Sequence, residues 1–161
     1  GTVWASGDGG TILLPQNGLS PDPELAAYNT STGIGYLTPV RINMSTISMS
    51  RDGSVVMFDS GNVYDRYFGL LGNIGWSLRF LVSPDGTRAY AYIMNSYTGD
   101  PEGVDVYDLT TPVGSGFKKL TRLPLSPTIL APGAYGVALG ISPDGKTLFV
   151  WATAKMVAIP L

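Results

Sequence analysis

A four-residue pattern, Ser-x-Asp-Gly, recurs along the chain and constrains its fold more than any other feature. The motif serines are Ser6, Ser50, Ser83 and Ser142, so successive copies begin 44, 33 and 59 residues apart. The mean spacing of about 45 residues is typical of architectures that place one small sheet in each repeat. Aspartate and glycine favour tight turns, and glycine accepts the left-handed backbone that closes a hairpin. Each copy therefore predicts a strand–turn–strand hairpin.

Apolar residues alternate on both sides of the motif. They lie one and three residues before each serine, as Val82 and Phe80 do before Ser83, and this is the period of a β-strand. A short apolar run follows each glycine, for example 89–92 and 148–151. Strands that are apolar on both faces are covered on both faces, so we expect the sheets to stack.

Further strands extend the hairpins into larger units. Segments 103–109 and 117–123 predict a third and a fourth strand after the third hairpin, and the first unit repeats this arrangement. In the second unit, 63–68 predicts a third strand and little remains for a fourth. The last unit ends with a third strand at 156–161, so it would lack an outer strand.

The third and fourth hairpins resemble a known family. An apolar strand, Ser-Pro-Asp-Gly, a second apolar strand and the Val-x-Val-Tyr-Asp-Leu-Thr segment at 104–110 are similar to the blades of YVTN-type, lactonase-like β-propellers. The resemblance is closest at 76–123 and 135–161. It implies an all-β fold of about four four-stranded antiparallel sheets in a single segment, 1–161. The implied blades are approximately 1–43, 44–75, 76–134 and 135–161.

The number of blades is small for this family, whose members usually have about seven. We therefore expect the chain to be part of a larger propeller, completed by the remainder of the same propeller or by another protein chain. A compact four-bladed ring with an unusual closure is the first alternative. A β-sandwich whose repeated hairpins do not form blades is the second.

Composition excludes several classes of function. The chain has no cysteine and no histidine, which excludes disulfide scaffolds, thiolate zinc sites, cysteine nucleophiles and the Ser-His-Asp triad. The formal net charge is −2, and no basic stripe suggests nucleic-acid binding. No apolar run approaches the roughly 18 residues of a membrane span.

One loop combines several oxygen-bearing side chains. Segment 95–103 and the residue two positions after it supply three carboxylates, Asp100, Glu102 and Asp105. Hard oxygen ligands suit Ca²⁺, so these are the candidate metal ligands, and we expect no other cofactor. A solvated Asp-Pro-Glu-Gly turn is the simpler interpretation, and we give it more weight.

Other loop residues are expected at the same end of the propeller, opposite the Ser-x-Asp-Gly turns. Asn95, Tyr97, Asp59 and Tyr135 are the candidate ligand-binding residues there, lining a pocket for a sugar or a peptide. The motif aspartates are expected to bond their own turns rather than a metal. Aromatic residues of the strands, including Trp151, are expected to pack between blades.

These features favour a non-catalytic structural or protein- and ligand-interaction module of an exported or cell-surface bacterial protein. Its open blade edges would mediate assembly, and a homo-oligomer is among the expected assemblies. The alternative is a fragment of a lactonase-like hydrolase propeller that holds a divalent metal. The absence of histidine counts against that alternative.

Overall fold

The computed structural model describes residues 3–16, 24–41, 47–58, 61–75, 77, 79–95, 97–125, 137–152 and 155–161. Within these ranges the chain is all-β, with fifteen strands and no helix, and hence no helix that is long and apolar enough to cross a membrane. The strands are β1 (Trp4–Ala5), β2 (Thr11–Gln16), β3 (Glu24–Asn29), β4 (Ile34–Arg41), β5 (Ile47–Met49), β6 (Val55–Phe58), β7 (Asn62–Asp65), β8 (Leu70–Asn73), β9 (Arg79–Val82), β10 (Arg88–Met94), β11 (Pro101–Val113), β12 (Gly116–Pro124), β13 (Val137–Ile141), β14 (Thr147–Ala152) and β15 (Lys155–Pro160).

The strands form three hydrogen-bonded sheets. β1 to β4 make one sheet, β13 to β15 make another, and β5 to β12 make a third in the order β5-β6-β7-β8-β12-β11-β10-β9. All pairings are antiparallel except one parallel bridge between Asn73 of β8 and Gly116 of β12, which joins the two halves of the eight-stranded sheet. We refer to β1–β4, β5–β8, β9–β12 and β13–β15 as layers 1 to 4. Whether each layer is a propeller blade stays a prediction.

The sequence did not predict strand β8. This short strand includes Gly72, whose missing side chain leaves room for the Phe117 ring: a Cβ there would lie 2.8 Å from the ring. Glycine in a strand often marks such a close approach and weakens the apolar pattern by which strands are predicted. Tertiary packing therefore decided this strand.

The Ser-x-Asp-Gly turns share one hydrogen-bond network. In the third copy the Ser83 hydroxyl donates to Asp85 Oδ1 over 2.6 Å, and Asp85 Oδ1 also accepts the Thr87 N–H over 3.0 Å. The Arg88 N–H donates to Ser83 Oγ over 2.9 Å, and Gly86 has a φ of 72°. The other copies repeat these contacts. The prediction that the motif aspartates bond their own turns is confirmed.

The turns of successive layers also contact one another. The Asp8 N–H donates to the Arg51 carbonyl over 2.9 Å, and the Arg51 N–H donates to the Pro84 carbonyl over 2.8 Å. The Arg51 guanidinium donates to the Pro143 carbonyl over 2.9 Å. These bonds hold the turns of all four layers together at one end of the molecule.

The layers pack face to face, and the repeat determines which residues each face presents. The leading face of a layer carries the residues one and three before the motif serine and six and eight after it. The trailing face carries the residues two before and seven after it. In layer 3, Val82 and Ala89 on the leading face pack in the core shared with layer 2. Leu81 and Tyr90 on the trailing face pack in the core shared with layer 4.

Three apolar cores follow from this arrangement. Between layers 1 and 2, Leu13 packs against Val56 and Phe58. Between layers 2 and 3, Met57 packs with Phe80. The third core lies between layers 3 and 4 and contains Tyr90. Burial of such side chains contributes roughly 1.5–3 kcal/mol each. The expected stacking of the sheets is therefore present between every pair of successive layers.

Candidate functional site

The loop between β10 and β11 forms a closed turn around Asn95. Its Oδ1 accepts the backbone N–H of Tyr97 over 2.9 Å and that of Thr98 over 3.1 Å. Its carbonyl accepts the Gly99 N–H over 2.9 Å. Because its amide oxygen already bonds the turn, Asn95 holds the loop in shape. Tyr97 is 97% exposed and lies at the tip of the turn.

The predicted carboxylates meet basic side chains from the neighbouring strand. Asp105 Oδ1 accepts from Arg122 Nε over 2.6 Å and Oδ2 accepts from a terminal guanidinium nitrogen over 3.0 Å. Lys119 Nζ adds a 3.3 Å bond to the same carboxylate, and Glu102 bonds Arg122 over 2.8 Å. An ion-pair network of two acids and two bases therefore joins β11 to β12.

Burial opposes the charge on Asp105, whose side chain is only 5% exposed. The hydrogen bonds and positive charges of Arg122 and Lys119 outweigh this effect, so the pKa of Asp105 lies below its ordinary value. The same pairing raises the pKa of Arg122. Asp105 and Arg122 are therefore both charged at neutral pH.

The structure brings together only some of the predicted site residues. Glu102 and Asp105 share Arg122, whereas the Asp100 backbone closes the turn by accepting the Asn95 N–H over 2.9 Å. Asp59 and Tyr135 lie outside the described residues. Within the described part of the chain, no group of three acidic side chains could hold a metal ion. The Ca²⁺ site stays a prediction.

Sequence reasoning missed Arg122 and Lys119. The antiparallel register places Asp105 directly opposite Arg122, and opposite charges in such pairs attract one another. Pairing the two predicted strands 103–109 and 117–123 as a hairpin would have revealed the contact. The opposite charges of Asp105 and Arg122 are visible in the sequence, but only the register between the strands shows that the two residues are partners.

The last layer exposes an apolar trailing face. Trp151 is 56% exposed, and Met156, its direct partner on β15, is 63% exposed. Within the described residues no further layer covers Trp151, and its expected packing between two sheets stays a prediction. We name this surface the open trailing face, and its residues are Ala138, Gly140, Phe149, Trp151, Met156, Ala158 and Pro160.

The first layer exposes an apolar leading face at the other end of the stack. Val3 is 57% exposed, and Leu14 and Leu37 are also exposed. The cross-strand pairs Ala5↔Ile12, Ile12↔Tyr28 and Ala26↔Leu37 place their side chains on one side of the sheet. We name this surface the open leading face, and its residues are Val3, Ala5, Ile12, Leu14, Ala26, Tyr28 and Leu37.

A groove of about 400 Å³ lies between the β3–β4 hairpin and the β7–β8 turn. Tyr36 and Tyr67 line it, and the Tyr36 hydroxyl donates to the Arg66 carbonyl over 2.8 Å. Phe68, whose φ of 64° is unusual for a side chain of this size, packs edge-on against Tyr36. The groove is at the end of the molecule that carries the Ser-x-Asp-Gly turns. Sequence reasoning placed its candidate pocket at the opposite end and gave no signal for this one.

No family model matches the chain, and no curated protein matches it. Among solved structures, the chain is similar to the periplasmic gluconolactonase PpgL of Pseudomonas aeruginosa. The TM-score is 0.54 at 16% identity, and the match covers 99% of this chain and 52% of that one. Dihydro-heme d1 dehydrogenase NirN gives 0.57 at 17% identity, covering 100% of this chain and 34% of that one. The tricorn protease gives 0.55 at 15% identity, covering 93% and 15%.

These likenesses concern the fold alone, because one fold hosts many unrelated functions. With the all-β topology they show a β-propeller-like fold. The chain spans about half the length of the gluconolactonase and smaller shares of the other two proteins. Membership of the YVTN-type family stays a prediction.

Proposed function

We propose that the chain is a non-catalytic structural and interaction module: a set of propeller blades that assembles with further blades through its two open faces. Each layer would be one blade, and layer 4 would be a blade without its outer strand. The module would belong to an exported or cell-surface bacterial protein, as the Gly-, Ser- and Thr-rich loops without cysteine suggest.

The equivalence of covered and open faces carries this proposal. Every leading face inside the stack is covered by a trailing face, as between Tyr90 of layer 3 and Leu148 of layer 4. The open leading and open trailing faces hold the same repeat positions and are also apolar. Ile12 and Phe149 are half-buried there, but most of the large side chains are exposed, namely Val3, Leu14, Tyr28, Leu37, Trp151 and Met156. Monomeric proteins seldom expose large contiguous apolar patches, and such patches mark interaction sites.

The open edge of layer 4 supports the same proposal. Among the described strands, β15 pairs with β14 only, so one side of β15 has no hydrogen-bonded strand beside it. Propellers hide such edges by closing the ring. A further strand beside β15 would complete the blade.

The proposal is tested by placing charge on both open faces in a Leu14→Glu/Trp151→Lys chain. Both side chains are exposed, so we expect the free energy of unfolding to change by less than about 1 kcal/mol. An apolar dye should bind the exposed faces of the unsubstituted chain. At concentrations where light scattering gives the mass of a single chain, its fluorescence should be severalfold lower with the Leu14→Glu/Trp151→Lys chain than with the unsubstituted chain. Urea unfolding followed by circular dichroism and a dye titration measure the two effects.

A matched control uses the same two repeat positions inside the stack. Phe58 is the layer 2 equivalent of Leu14, and Tyr92 is the layer 3 equivalent of Trp151, and both are buried. Phe58→Glu/Tyr92→Lys should unfold the chain. If the Leu14→Glu/Trp151→Lys chain unfolds as well, the open faces belong to the chain's own core and the proposal fails.

The hydrolase alternative makes a different prediction about metal. A divalent ion held by Asp100, Glu102 and Asp105 would stabilise the folded chain by mass action. On our proposal, EDTA and added Ca²⁺ leave the melting temperature unchanged. A fall in the melting temperature with EDTA that Ca²⁺ reverses, and that Glu102→Gln abolishes, would favour the alternative instead.

A further inference from the structure

We propose that a second copy of this chain covers the open faces, with the open trailing face of each copy packed on the open leading face of the other. This inference rests on the proposed function and specifies the partner. It follows from the chemistry that the two faces present and from the interface that layers 3 and 4 already form.

The interface between layers 3 and 4 gives the pattern for the contact. There the trailing face supplies two large aromatic rings, Tyr90 and Tyr92, and the leading face supplies aliphatic side chains such as Leu148 and Val150. Aromatic rings bury large areas against branched aliphatic groups, and this dominates interface energetics.

The open faces repeat this division of chemistry. Phe149 and Trp151 stand seven and nine residues after Ser142, as Tyr90 and Tyr92 stand after Ser83. Ile12 and Leu14 stand six and eight residues after Ser6, as Leu148 and Val150 stand after Ser142. One copy therefore carries both halves of an interface of the kind found between layers 3 and 4.

Charge and polarity do not oppose the contact. The residues that define the open trailing and open leading faces include no acid and no base. At the far ends of the layer 1 strands, Glu24 is the register partner of Gln16 and of Arg41. Burying such a surface requires no desolvation of a charged group.

Two copies are the smallest assembly that can cover every open face. Each contact joins two different faces, so repeating it from copy to copy makes either a closed ring or an open filament. The likeness to propeller proteins favours closure, because their layers are arranged around a ring. In a ring of two copies, both open faces of both copies are covered.

The mass of the unsubstituted chain in solution is the first test. Size-exclusion chromatography with light scattering should give twice the 17.0 kDa mass of one chain at micromolar concentration, and the single mass on dilution. A single-chain mass at all concentrations up to the solubility limit would overturn this inference. The dye-binding test of the proposed function uses single chains, so it gives its answer separately.

Complementary charges provide the decisive test. Leu14→Glu and Trp151→Lys chains should each be monomeric when alone, because each places a charge in both interfaces of the pair. When the two variants are mixed, one interface joins the introduced carboxylate to the introduced amine and the other is unsubstituted, so the double mass should return at least in part. Circular dichroism checks that each variant is folded.

Two controls fix the interpretation. A mixture of Leu14→Lys and Trp151→Lys chains places like charges together and should stay monomeric. Tyr97→Lys changes an exposed tyrosine between β10 and β11 of layer 3, which belongs to neither open face, and it should keep the double mass. Recovery in the like-charged mixture, or none in the oppositely charged one, would exclude pairing of the trailing face with the leading face.

Discussion

Tyr92 and Trp151 occupy the same position in two successive repeats and have opposite environments. Each lies nine residues after its motif serine, on the trailing face of its layer. Tyr92 is 1% exposed because layer 4 covers it, whereas Trp151 is 56% exposed. The repeat decides which way a side chain faces, and the presence of a neighbouring layer decides whether it is buried.

The turn glycines give the same comparison between the interior and the end of the stack. Gly53 and Gly9 have φ values of 67° and 72°. A Cβ at Gly53 would lie 2.6 Å from Thr11 Oγ1, which belongs to the preceding layer, whereas a Cβ at Gly9 would meet nothing within 4 Å. The two glycines have similar φ values, but only Gly53 lies close to a side chain of a neighbouring layer.

The largest expected difference in unfolding free energy is between the Tyr92→Lys and Trp151→Lys chains. Lysine at position 92 would put an unpaired amine into the core of layers 3 and 4, and we expect a loss of about 4 kcal/mol or more. Lysine at position 151 should change the unfolding free energy of a single chain by less than about 1 kcal/mol. Urea unfolding below the association concentration measures both.

Tyr92→Phe is the control for this pair. The Tyr92 hydroxyl is buried and has no hydrogen-bond partner among the described residues, so its removal should not lower stability. If Tyr92→Lys proves as mild as Trp151→Lys, the difference in burial between the two positions is refuted.

The second expected difference is between Gly53→Ala and Gly9→Ala. Both substitutions put a Cβ on a left-handed residue, which costs roughly 1–2 kcal/mol. At Gly53 the added contact with Thr11 should bring the total to about 2–3 kcal/mol. Equal losses for the two variants, measured by thermal unfolding, would mean that the turns of layers 1 and 2 do not pack as described.

A smaller effect is expected at the ion pairs of layer 3. Asp105 is buried and Glu102 is exposed, and both bond Arg122. Asp105→Asn leaves the guanidinium without its main partner and should cost about 1–2 kcal/mol. Glu102→Gln should cost less than about 0.5 kcal/mol, because exposed pairs contribute little. Raised salt should abolish the loss in Glu102→Gln and leave most of the loss in Asp105→Asn, because salt screens exposed pairs more than buried ones. Urea unfolding of both variants at two salt concentrations measures this.

The smallest expected difference is in how the turns of layers 3 and 4 affect the unfolding free energy on acidification. Hydrogen bonds from Ser83 and Ser142 lower the pKa of Asp85 and Asp144 in the folded chain. A lowered folded pKa means stability that is complete above the unfolded value of about 4 and is lost as pH falls through the folded value. The turn of layer 3 and the turn of layer 4 make the same serine–aspartate bond, so Ser83→Ala and Ser142→Ala should lower the acid sensitivity of the unfolding free energy by the same amount. Unfolding curves of both variants at pH 7, 4 and 3 measure this free energy.

Much of the fold was predictable because it depends on local chemistry. The hairpins of Ser83 and Ser142 follow from turn propensity and alternation, which act over a few residues. The turn role of Asp85 was predictable for the same reason. Strand β8 was not, since it bridges Gly116 and lies against Phe117, both more than forty residues away in the chain.

The candidate site was less predictable. The oxygen-bearing loop was found, but not the pairing of Asp105 with Arg122 across strands, which depends on register. The groove beside Tyr36 was missed because its walls come from two layers.

By itself, the sequence determined the repeat, the turns and the face on which each apolar residue of a strand lies, because turn chemistry and the two-residue period are properties of short segments. Only the tertiary structure decided which of those faces are covered. Burial is a property of pairs of layers, and layers 1 and 4 have a described neighbour on one side only. The same apolar pattern thus makes a core around Tyr92 and an exposed surface around Trp151.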